Sequence, residues 1–296
     1  MTPPLHHVAP PDVELTDEQV RSYDQDGYLV LRELIPPALV GRLRAAAEGW
    51  LDRADESDPD HLYATRDGER ALWRIDYLHG KGDRASLELL GSPQVLGIAE
   101  SLCGPDFVPT YESMVVKQPG SGAPVAWHQD AVHPRRHRVV NVDVYLDEAR
   151  VGEGALRVVP GSHLRAHDVC EVADTHGWEP PGVVEVGMSP GDVLLHDVMV
   201  LHGSQPTSGS SSLRRTLYYE FRPAAHVLEE GPWDASWVEQ RQRLVPLALR
   251  AHADAFPDVP AFAWTPSQRP ARLGDDETEP RVAHTVHTQG SWCSAG

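Results

Sequence analysis

Two side chains that commonly bind metal ions, His128 and Asp130, stand one residue apart in the stretch WHQD. In an extended segment, alternate side chains point to the same side, so this pair could bind one ion together. The pair by itself is a weak signal, because the chain contains 16 histidines and such spacings arise by chance. A third ligand is needed before the sequence predicts a metal site.

The stretch GDVLLHDVMVLHGSQP contains two histidines that could be this third ligand, His196 and His202. Each follows an apolar run, and the local pattern barely separates them. His202 also begins a Gly/Ser segment, where a side chain can project from a strand end into a cavity. Two imidazoles and one carboxylate leave other positions on the ion open, which is the arrangement of non-haem Fe(II) oxygenases. A zinc site more often has a fourth protein ligand that completes its coordination, or consists of three histidines in a hydrolytic enzyme.

A candidate anion-binding group follows in SLRRTLYYEF, which places Arg214 and Arg215 at the start of a predicted strand. A guanidinium that points into the protein interior is costly unless an anion meets it. Arginine pairs with a carboxylate through two parallel hydrogen bonds, which would suit the distal carboxylate of 2-oxoglutarate. Neighbouring strand residues face opposite ways, so one arginine can point inward while the other is solvated. Two surface arginines are the alternative interpretation.

Helical patterns lie before and after these candidate residues. Thr16 is a typical N-cap for a helix that continues to about Tyr23, and Gly27 is expected to end it before a short strand. Further helices are predicted from Pro36 and Pro37 onward, near 93–102, and over 233–255.

From about Phe107 to Pro223, short β-rich runs alternate with Gly and Pro turns, which predicts an antiparallel barrel or sandwich. Between residues 138 and 147 the pattern has period two. One face is apolar and should pack, and the polar face could line a cavity: Val140, Val142, Val144 and Leu146 against Asn141, Asp143 and Tyr145. The predicted fold is mainly β (α+β), a double-stranded β-helix (jelly roll, cupin-like) core with N-terminal helices and a C-terminal helix.

Composition excludes several classes of function. The formal net charge of −18 disfavours binding to nucleic acid. The N-terminus lacks the basic and apolar regions of a signal peptide, and no apolar run approaches the about 20 residues that span a bilayer. The three cysteines are scattered, which argues against a disulfide framework and fits a reducing compartment. We expect a soluble, cytoplasmic monomer or homodimer that acts on a small molecule and not at a membrane.

These segments together resemble the phytanoyl-CoA dioxygenase family of Fe(II)/2-oxoglutarate oxygenases. The resemblance covers about Asp17 to Pro223 and rests on the order of several pieces: DGYLVLRELI, VVKQPGSGAPVAWHQDAVH, VNVDVYLDEARVGEGALRVVPGSHLRAH, GDVLLHDVMVLHGSQP and RRTLYYEF. It implies a single dioxygenase domain over 15–265, with the jelly-roll core at about 107–223. A flexible N-terminus (1–14) and a flexible tail (266–296) are expected on either side.

The resemblance implies His128, Asp130 and His202 as the Fe(II) ligands, because the family's last histidine begins an HGS-type turn, as His202 does. It also implies Arg214 as the anchor of 2-oxoglutarate. One extra residue between this arginine and His202 keeps Arg215 as an alternative.

Further contacts with the co-substrate are expected from Lys117, Tyr145 and Asn141. Lys117 matches a family lysine that helps to hold the co-substrate, and a solvated strand lysine is the other interpretation. Asn141 and Tyr145 belong to the polar face that could line the cavity.

Three positions depart from the family pattern. Asp143 stands where many members have an aromatic residue, His133 also replaces a common aromatic, and the usual Asn-Gly turn reads Gly-Glu-Gly over 152–154. Asp143 and His133 are therefore interpreted as substrate-pocket residues. Trp127 is either a further substrate contact or a packing residue.

The implied reaction uses O₂ and converts 2-oxoglutarate to succinate and CO₂ while an unactivated C–H bond of a small molecule is oxidised. Hydroxylation, ring closure, desaturation and epimerisation are the possible outcomes, and tailoring of a bacterial secondary metabolite is the expected context. The alternative is a cupin-like metal-dependent isomerase or hydrolase that does not use 2-oxoglutarate, for which Arg214 would be dispensable. A catalytically silent jelly-roll binding protein would tolerate loss of Asp130.

Overall fold

A computed structural model describes residues 14–66, 69–119, 124–133, 136–207, 213–230 and 233–270. The expected flexible N-terminus, apart from its last residue, and the expected tail from residue 271 onward lie outside these ranges.

The described residues include eight α-helices: α1 Asp17–Asp26, α2 Pro37–Asp52, α3 Ala85–Leu90, α4 Pro93–Cys103, α5 Val169–His176, α6 Ala224–Glu230, α7 Ala235–Gln242 and α8 Leu244–Ala255. They also include eleven strands: β1 Tyr28–Leu31, β2 His61–Arg66, β3 Glu69–Asp76, β4 Phe107–Lys117, β5 Val125–His128, β6 Val140–Tyr145, β7 Leu156–Val158, β8 Val184–Val186, β9 Val193–Asp197, β10 His202–Ser204 and β11 Arg214–Pro223.

The first helix begins and ends where the sequence predicts. Thr16 caps α1 in a capping box with Gln19, in which each side chain accepts the backbone N–H of the other residue, at 3.2 and 2.7 Å. Gly27 follows α1 with a left-handed φ of 77°. A side chain at Gly27 would also collide with His163, because an added Cβ lies 2.5 Å from that ring. The chain can therefore turn directly into β1.

The strands form two antiparallel sheets. The larger has the order β1-β9-β6-β11-β4-β3-β2, and the smaller has the order β5-β10-β7-β8. The two sheets face each other, since Tyr145 and Leu194 of the larger sheet share a buried cluster with Leu156 and Val158 of the smaller. Side chains from α2, α3, α4 and α8 pack with the other face of the larger sheet in the main core.

Strand β6 carries the predicted alternation into the centre of the larger sheet. All six of its residues are buried. Val140, Val142 and Val144 belong to the main core beneath the helices, whereas Tyr145 belongs to the cluster between the sheets. Because strand side chains alternate, Asn141 and Asp143 are on the same side as Tyr145. The polar face of β6 is thus directed toward the smaller sheet.

The structure corrects the fold prediction in three respects. The protein combines helices with antiparallel sheets, as the α+β part of the prediction states, but it is not mainly β, because several short helices were not predicted. The hairpin β2–β3, also not predicted, extends the larger sheet beyond β4. The predicted helix over 233–255 is two helices that meet at Arg243. Pro246 explains the break: it is tolerated in the first turn of α8 but could not continue α7.

Two further observations concern the cysteines and the helices. Cys103 is a free, buried thiol. Among the residues that the structure describes, no helix is long and apolar enough to cross a membrane.

The packing of α3 against α8 provides a test of the fold. A Cβ added at Gly91 would lie 2.1 Å from the backbone oxygen of Ala248, so Gly91→Ala forces the helices apart. We expect a loss of about 1–3 kcal/mol in the free energy of unfolding, measured by urea denaturation. Gly41→Ala in α2 is the matched control, because nothing lies within 4 Å of its added Cβ. It should stabilise the protein by about 0.5–1 kcal/mol; equal effects of the two changes would contradict the packing.

Candidate metal centre

The pairing of β5 with β10 brings two of the candidate ligands together. His128 is the last residue of β5, His202 is the first of β10, and the two are direct partners in the antiparallel register. Asp130 lies two residues beyond β5. One ligand atom from each of the three residues lies within 4.8 Å of the others, the only such group of His, Cys, Asp or Glu in the described ranges.

Local hydrogen bonds fix the orientation of both imidazoles. The Nδ1 of His128 is 2.7 Å from the carbonyl oxygen of Ala126, and the Nδ1 of His202 is 2.9 Å from that of Val200. A carbonyl only accepts, so Nδ1 carries the proton in each ring. The Nε2 atoms are left as lone-pair donors, and they lie 3.4 and 3.9 Å from the Asp130 carboxylate. This tautomer is the one that a metal-binding histidine needs.

The three candidate ligands are largely buried, but Asp130 keeps partial contact with solvent. The side chains of His128 and His202 are 4 and 6% exposed, whereas that of Asp130 is 22% exposed. Burial and the neighbouring His128 ring hold the pKa of His202 well below its usual range. A neutral imidazole is therefore ready to donate its lone pair. Two nitrogens and one carboxylate oxygen with an open side are a donor set that fits a divalent iron ion with other positions free.

Two side-chain nitrogens approach the Oδ2 atom of Asp130, and these two nitrogens lie 3.0 Å from each other. The side-chain amide of Asn141 donates to it at 2.8 Å, and the Nε2 of His196 lies 3.2 Å away. The Nδ1 of His196 is 2.9 Å from the Oδ2 of Asp143. His196 is thus beside the group of three and outside it, and Asn141 contacts the candidate ligand Asp130.

Charge pairing governs the ionisation of these buried residues. Burial would raise the pKa of Asp130, but His202, His128 and His196 outweigh it and hold that pKa well below the usual value. Burial would lower the pKa of His196, but the carboxylates of Asp143 and Asp130 raise it to about 10. Burial raises the pKa of Asp143, with partial compensation from His196.

The two arginines of RRTLYYEF point in opposite directions. Arg215 donates to Asp147 through Nε at 2.8 Å and Nη2 at 3.0 Å, so its charge already has a partner. Arg214 is only 7% exposed, and its Nη1 donates to the carbonyl oxygen of Gly154. No carboxylate from the described residues lies within 4.0 Å of Arg214.

Lys117 and Tyr145 lie on the side of Arg214. Lys117 is the register partner of Arg214 on the neighbouring strand, is 2% exposed, and donates to the carbonyl oxygen of Gln205 at 2.6 Å. Burial raises the pKa of the Tyr145 phenol, with Arg214 acting against the shift. Lys117 is therefore a buried strand residue rather than a solvated one.

Two candidate substrate residues are not brought to the group. Trp127 points away from it, because its indole N–H donates to the carbonyl oxygen of Gly177 at 2.8 Å and its ring lies 5.5 Å from that of Trp178. This places Trp127 in packing, since it faces the opposite side of β5 from His128. The ring of His133 meets that of His226 of α6 edge-on, with ring centroids 4.8 Å apart. Asp143 is fully buried and contacts His196.

Sequence patterns indicated His196 only as an alternative ligand and did not single out Tyr218. Tyr218 is two strand positions beyond Thr216 and four beyond Arg214, so it shares their side of β11. It is the register partner of Asp143 and Ser113, and burial together with Asp143 raises its pKa well above the usual range. Counting every second residue from Arg214 would have identified it.

Comparison with known proteins agrees with this geometry. The family model described as phytanoyl-CoA dioxygenase (PhyH) matches residues 23–216. Methylphosphonate hydroxylase of Gimesia maris is 31% identical over 245 residues, which are 77% of this chain and 87% of that protein. AviO1 from Streptomyces viridochromogenes Tue57 is similar in structure, with a TM-score of 0.60 and 31% identity over 70% of this chain and 95% of its own.

A more distant structure supports the fold alone. EctD from S. alaskensis, solved with bound Fe, has a TM-score of 0.59 and 22% identity over 75% of this chain and 81% of its own. The fold and the site define a non-haem oxygenase that uses Fe(II), 2-oxoglutarate and O₂. The chain belongs to the phytanoyl-CoA dioxygenase family, as its matched segment and its relatives show.

The packing position of Trp127 can be tested with Trp127→Phe. The change keeps an aromatic ring but removes the donor to Gly177, so we expect a loss of about 1 kcal/mol in the free energy of unfolding. Fe(II) affinity, measured by anaerobic titration, should stay within a factor of two of the unchanged protein. A large loss of affinity with unchanged stability would place Trp127 in the site instead.

Proposed function

We propose that His128, Asp130 and His202 hold the Fe(II) of this dioxygenase and that Arg214 anchors the distal carboxylate of 2-oxoglutarate. The observation that carries the proposal is a buried guanidinium without a carboxylate partner among the described residues, on the same side of the larger sheet as a buried two-histidine, one-carboxylate group. Such a cation is costly unless an anion meets it. Arg215 has its own carboxylate, Asp147, and is not needed for this role.

The strand order supports a finer description of the fold. The four strands β9-β6-β11-β4 of the larger sheet face β5-β10-β7-β8 of the smaller. From β4 to β11 the chain alternates between the two sheets, except that β7 and β8 are consecutive strands of the smaller sheet. We propose that this is a double-stranded β-helix, with residues 15–265 as one dioxygenase domain and 107–223 as its core. Within this proposal the enzyme is a cytoplasmic monomer or homodimer without nucleic-acid or membrane partners.

The chain's own residues have three tasks in this function. Iron and 2-oxoglutarate, when bound, supply the activation of O₂ that oxidises a C–H bond. His128 and His202 present fixed lone pairs, because each Nδ1–H is held by the carbonyl oxygen two residues earlier in the chain. Arg214, with Lys117 beside it, orients the co-substrate by charge. The two packed sheets limit the access of water to the site.

The charges near the site favour a small substrate without phosphate groups. Arg74 on the inter-sheet side of β3 is paired with Asp76 at 2.9 Å, and Arg222 at the end of β11 is paired with Glu220 at 2.7 Å. These cations are already neutralised, and the net charge of −18 repels anions. We propose a neutral or zwitterionic secondary metabolite as substrate, and hydroxylation, ring closure, desaturation or epimerisation as the outcome.

The metal and co-substrate assignment predicts a spectroscopic signal. Anaerobic addition of Fe(II) and 2-oxoglutarate should produce a visible charge-transfer band, followed by O₂-dependent release of succinate. Asp130→Ala should abolish the band, because it removes one of the three ligands. If the unchanged protein binds a divalent metal but gives neither the band nor succinate, an isomerase or hydrolase that does not use 2-oxoglutarate is favoured.

Replacement of Arg214 and replacement of Arg215 should affect different properties of the enzyme. Arg214→Met should raise the KM for 2-oxoglutarate by about 10²-fold or more, since a charge-assisted pair contributes about 3 kcal/mol, while the folded protein stays intact. Arg215→Met should leave that KM within a factor of about three and lower the free energy of unfolding, because Asp147 loses its partner. Succinate release and urea denaturation measure the two quantities. The reverse pattern would assign the co-substrate to Arg215.

Substrate class can be tested by substrate-stimulated succinate release. Neutral and zwitterionic metabolites should stimulate the reaction more than methylphosphonate or a CoA thioester at equal concentration. A mass gain of one oxygen, or a loss of two hydrogens, on the stimulating compound identifies the outcome. Stronger stimulation by methylphosphonate, the compound for which one relative is named, would contradict the charge argument.

A further inference from the structure

Tyr218 keeps contact with solvent in the middle of a covered strand. Every other residue of β11 from Arg214 to Phe221 is buried, whereas Tyr218 is partly exposed. Helices pack on one face of the larger sheet and the smaller sheet packs on the other, so this exposure indicates space between the layers. The side chain of Asp130 is also partly exposed, at 22%.

Tyr218 lies opposite Asp143 on the face that is directed toward the smaller sheet. The two are register partners of β11 and β6, and the side chains of such a pair share one face, with Cβ atoms about 4.5–5.5 Å apart. The His196 ring lies between Asp143 and the candidate metal centre. Its Nδ1 is 2.9 Å from the Oδ2 of Asp143, and its centroid is 4.6 Å from that of His202. The pair is therefore one side chain away from a candidate iron ligand.

Each member of this pair has a polar group without a partner. The Tyr218 hydroxyl makes no hydrogen bond with the residues that the structure describes. Asp143 is 0% exposed, and its Oδ1 also has no hydrogen-bond partner among them. Burial, with a further contribution from Asp143, raises the pKa of the Tyr218 phenol well above its usual range, so the hydroxyl keeps its proton. A donor and an acceptor thus lie side by side, and a buried acceptor left unpaired costs free energy.

We propose that Tyr218 and Asp143 form a subsite for a hydroxyl group of the substrate. The phenol of Tyr218 donates to the oxygen of this hydroxyl, which in turn donates to the Oδ1 of Asp143. A hydroxyl both accepts and donates through one atom, whereas an ether oxygen only accepts and a methyl group does neither. An aromatic residue, which many members of the family have at position 143, offers no such acceptor.

The subsite narrows the class of substrate. It rests on the proposed function, because a hydroxyl held between Tyr218 and Asp143 places the carbon that carries it near the metal centre. Among neutral and zwitterionic compounds, the enzyme then selects those that carry a hydroxyl close to the C–H bond that is oxidised. A site built to hydrogen-bond a hydroxyl discriminates against the analogue that lacks it, since its own polar groups are then left unpaired.

Two competing explanations concern the same phenol. If Tyr218 donates directly to Asp143, the pair stabilises the fold without any ligand. If it donates to 2-oxoglutarate, it extends the co-substrate site, since Arg214 lies four positions away on the same face of β11. Removal of the Tyr218 hydroxyl lowers stability in the first case and changes co-substrate binding in the second. The proposed subsite predicts neither effect.

Tyr218→Phe removes only this hydroxyl and tests both explanations without a substrate. We expect an unchanged urea midpoint for the metal-free protein. The charge-transfer band formed with Fe(II) and 2-oxoglutarate should keep its wavelength, and the affinity for 2-oxoglutarate should not change. Tyr219→Phe is the matched control: this neighbouring phenol is 0% exposed and donates to the carbonyl oxygen of Ser86 at 2.8 Å, so its loss should lower the midpoint. A lower midpoint or a shifted band in Tyr218→Phe would overturn the subsite.

Succinate release stimulated by matched compounds tests the subsite directly. Serine with alanine, and methyl glucoside with its deoxy derivatives, are zwitterionic and neutral pairs that differ in one hydroxyl. In at least one pair the hydroxyl-bearing compound should stimulate more strongly. Tyr218→Phe should reduce kcat/KM for that compound by about 2–10-fold, the contribution of one hydrogen bond. The same change should leave kcat/KM for the deoxy compound unaltered, because the two removals delete one and the same contact.

The O-methyl derivative of the stimulating compound tests the role of Asp143. It still accepts from Tyr218 but cannot donate to Asp143, so it should stimulate less than the hydroxyl compound and remain sensitive to Tyr218→Phe. Stimulation as strong as that of the hydroxyl compound would contradict a role for Asp143.

The outcomes separate this subsite from the function on which it rests. Equal stimulation by both members of every pair, or an equal effect of Tyr218→Phe on both members, would overturn the subsite while the metal and co-substrate assignment stands. Absence of the charge-transfer band in the unchanged protein is a different result, since it contradicts that assignment.

Discussion

The pairing of His128 with His202 across β5 and β10 is the contact on which the site depends. Antiparallel register sets the two rings side by side, with centroids 4.0 Å apart, before any ion is considered. Each ring is then fixed by a carbonyl two residues earlier in its own chain segment. Asp130 needs only to fold back from the end of β5 to complete the group. The precision of the site thus comes from backbone pairing and not from long side chains.

The two faces of β6 have separate functions. Its valines pack under the helices, while Asn141 and Asp143 meet Asp130 and His196 between the sheets. A one-residue slip of β6 would exchange these faces, burying carboxylate and amide among apolar side chains. The same hydrophobic packing that stabilises the larger sheet therefore fixes the position of the polar residues. The register of β6 therefore determines both the packing of the core and the geometry of the site.

Sequence patterns predicted the parts of the protein that depend on local chemistry. The cap at Thr16, the turn at Gly27 and the alternation of β6 follow from residue type and spacing, and all three are present. The hairpin β2–β3 is not among the predicted elements, although Asp67-Gly68 between two alternating runs is a strong hairpin signal in the sequence. The short helices α3 and α6 lack a pattern long enough to recognise.

Partner choice between distant residues could not be predicted from the same patterns. Local pattern barely separates His196 from His202, and it is the family resemblance that favours His202. The pairing of β10 with β5 places His202 beside His128, whereas His196 lies on β9 in the other sheet. Arg214 and Arg215 differ by one position. Which of them meets Asp147 depends on the register of β11 against its neighbours. Contacts between residues far apart in the sequence produce no local sequence pattern.

Among the strands that the structure describes, β5 is at the edge of the smaller sheet and is paired with β10 alone. Short edge strands are among the elements that open most easily, because few hydrogen bonds hold them. In the proposed site, an ion held by His128 and His202 would span this pair of strands and cross-link them. Part of the binding free energy of the metal would then appear as protection of the β5 edge, so that loss of iron and local opening of that edge would be one coupled equilibrium.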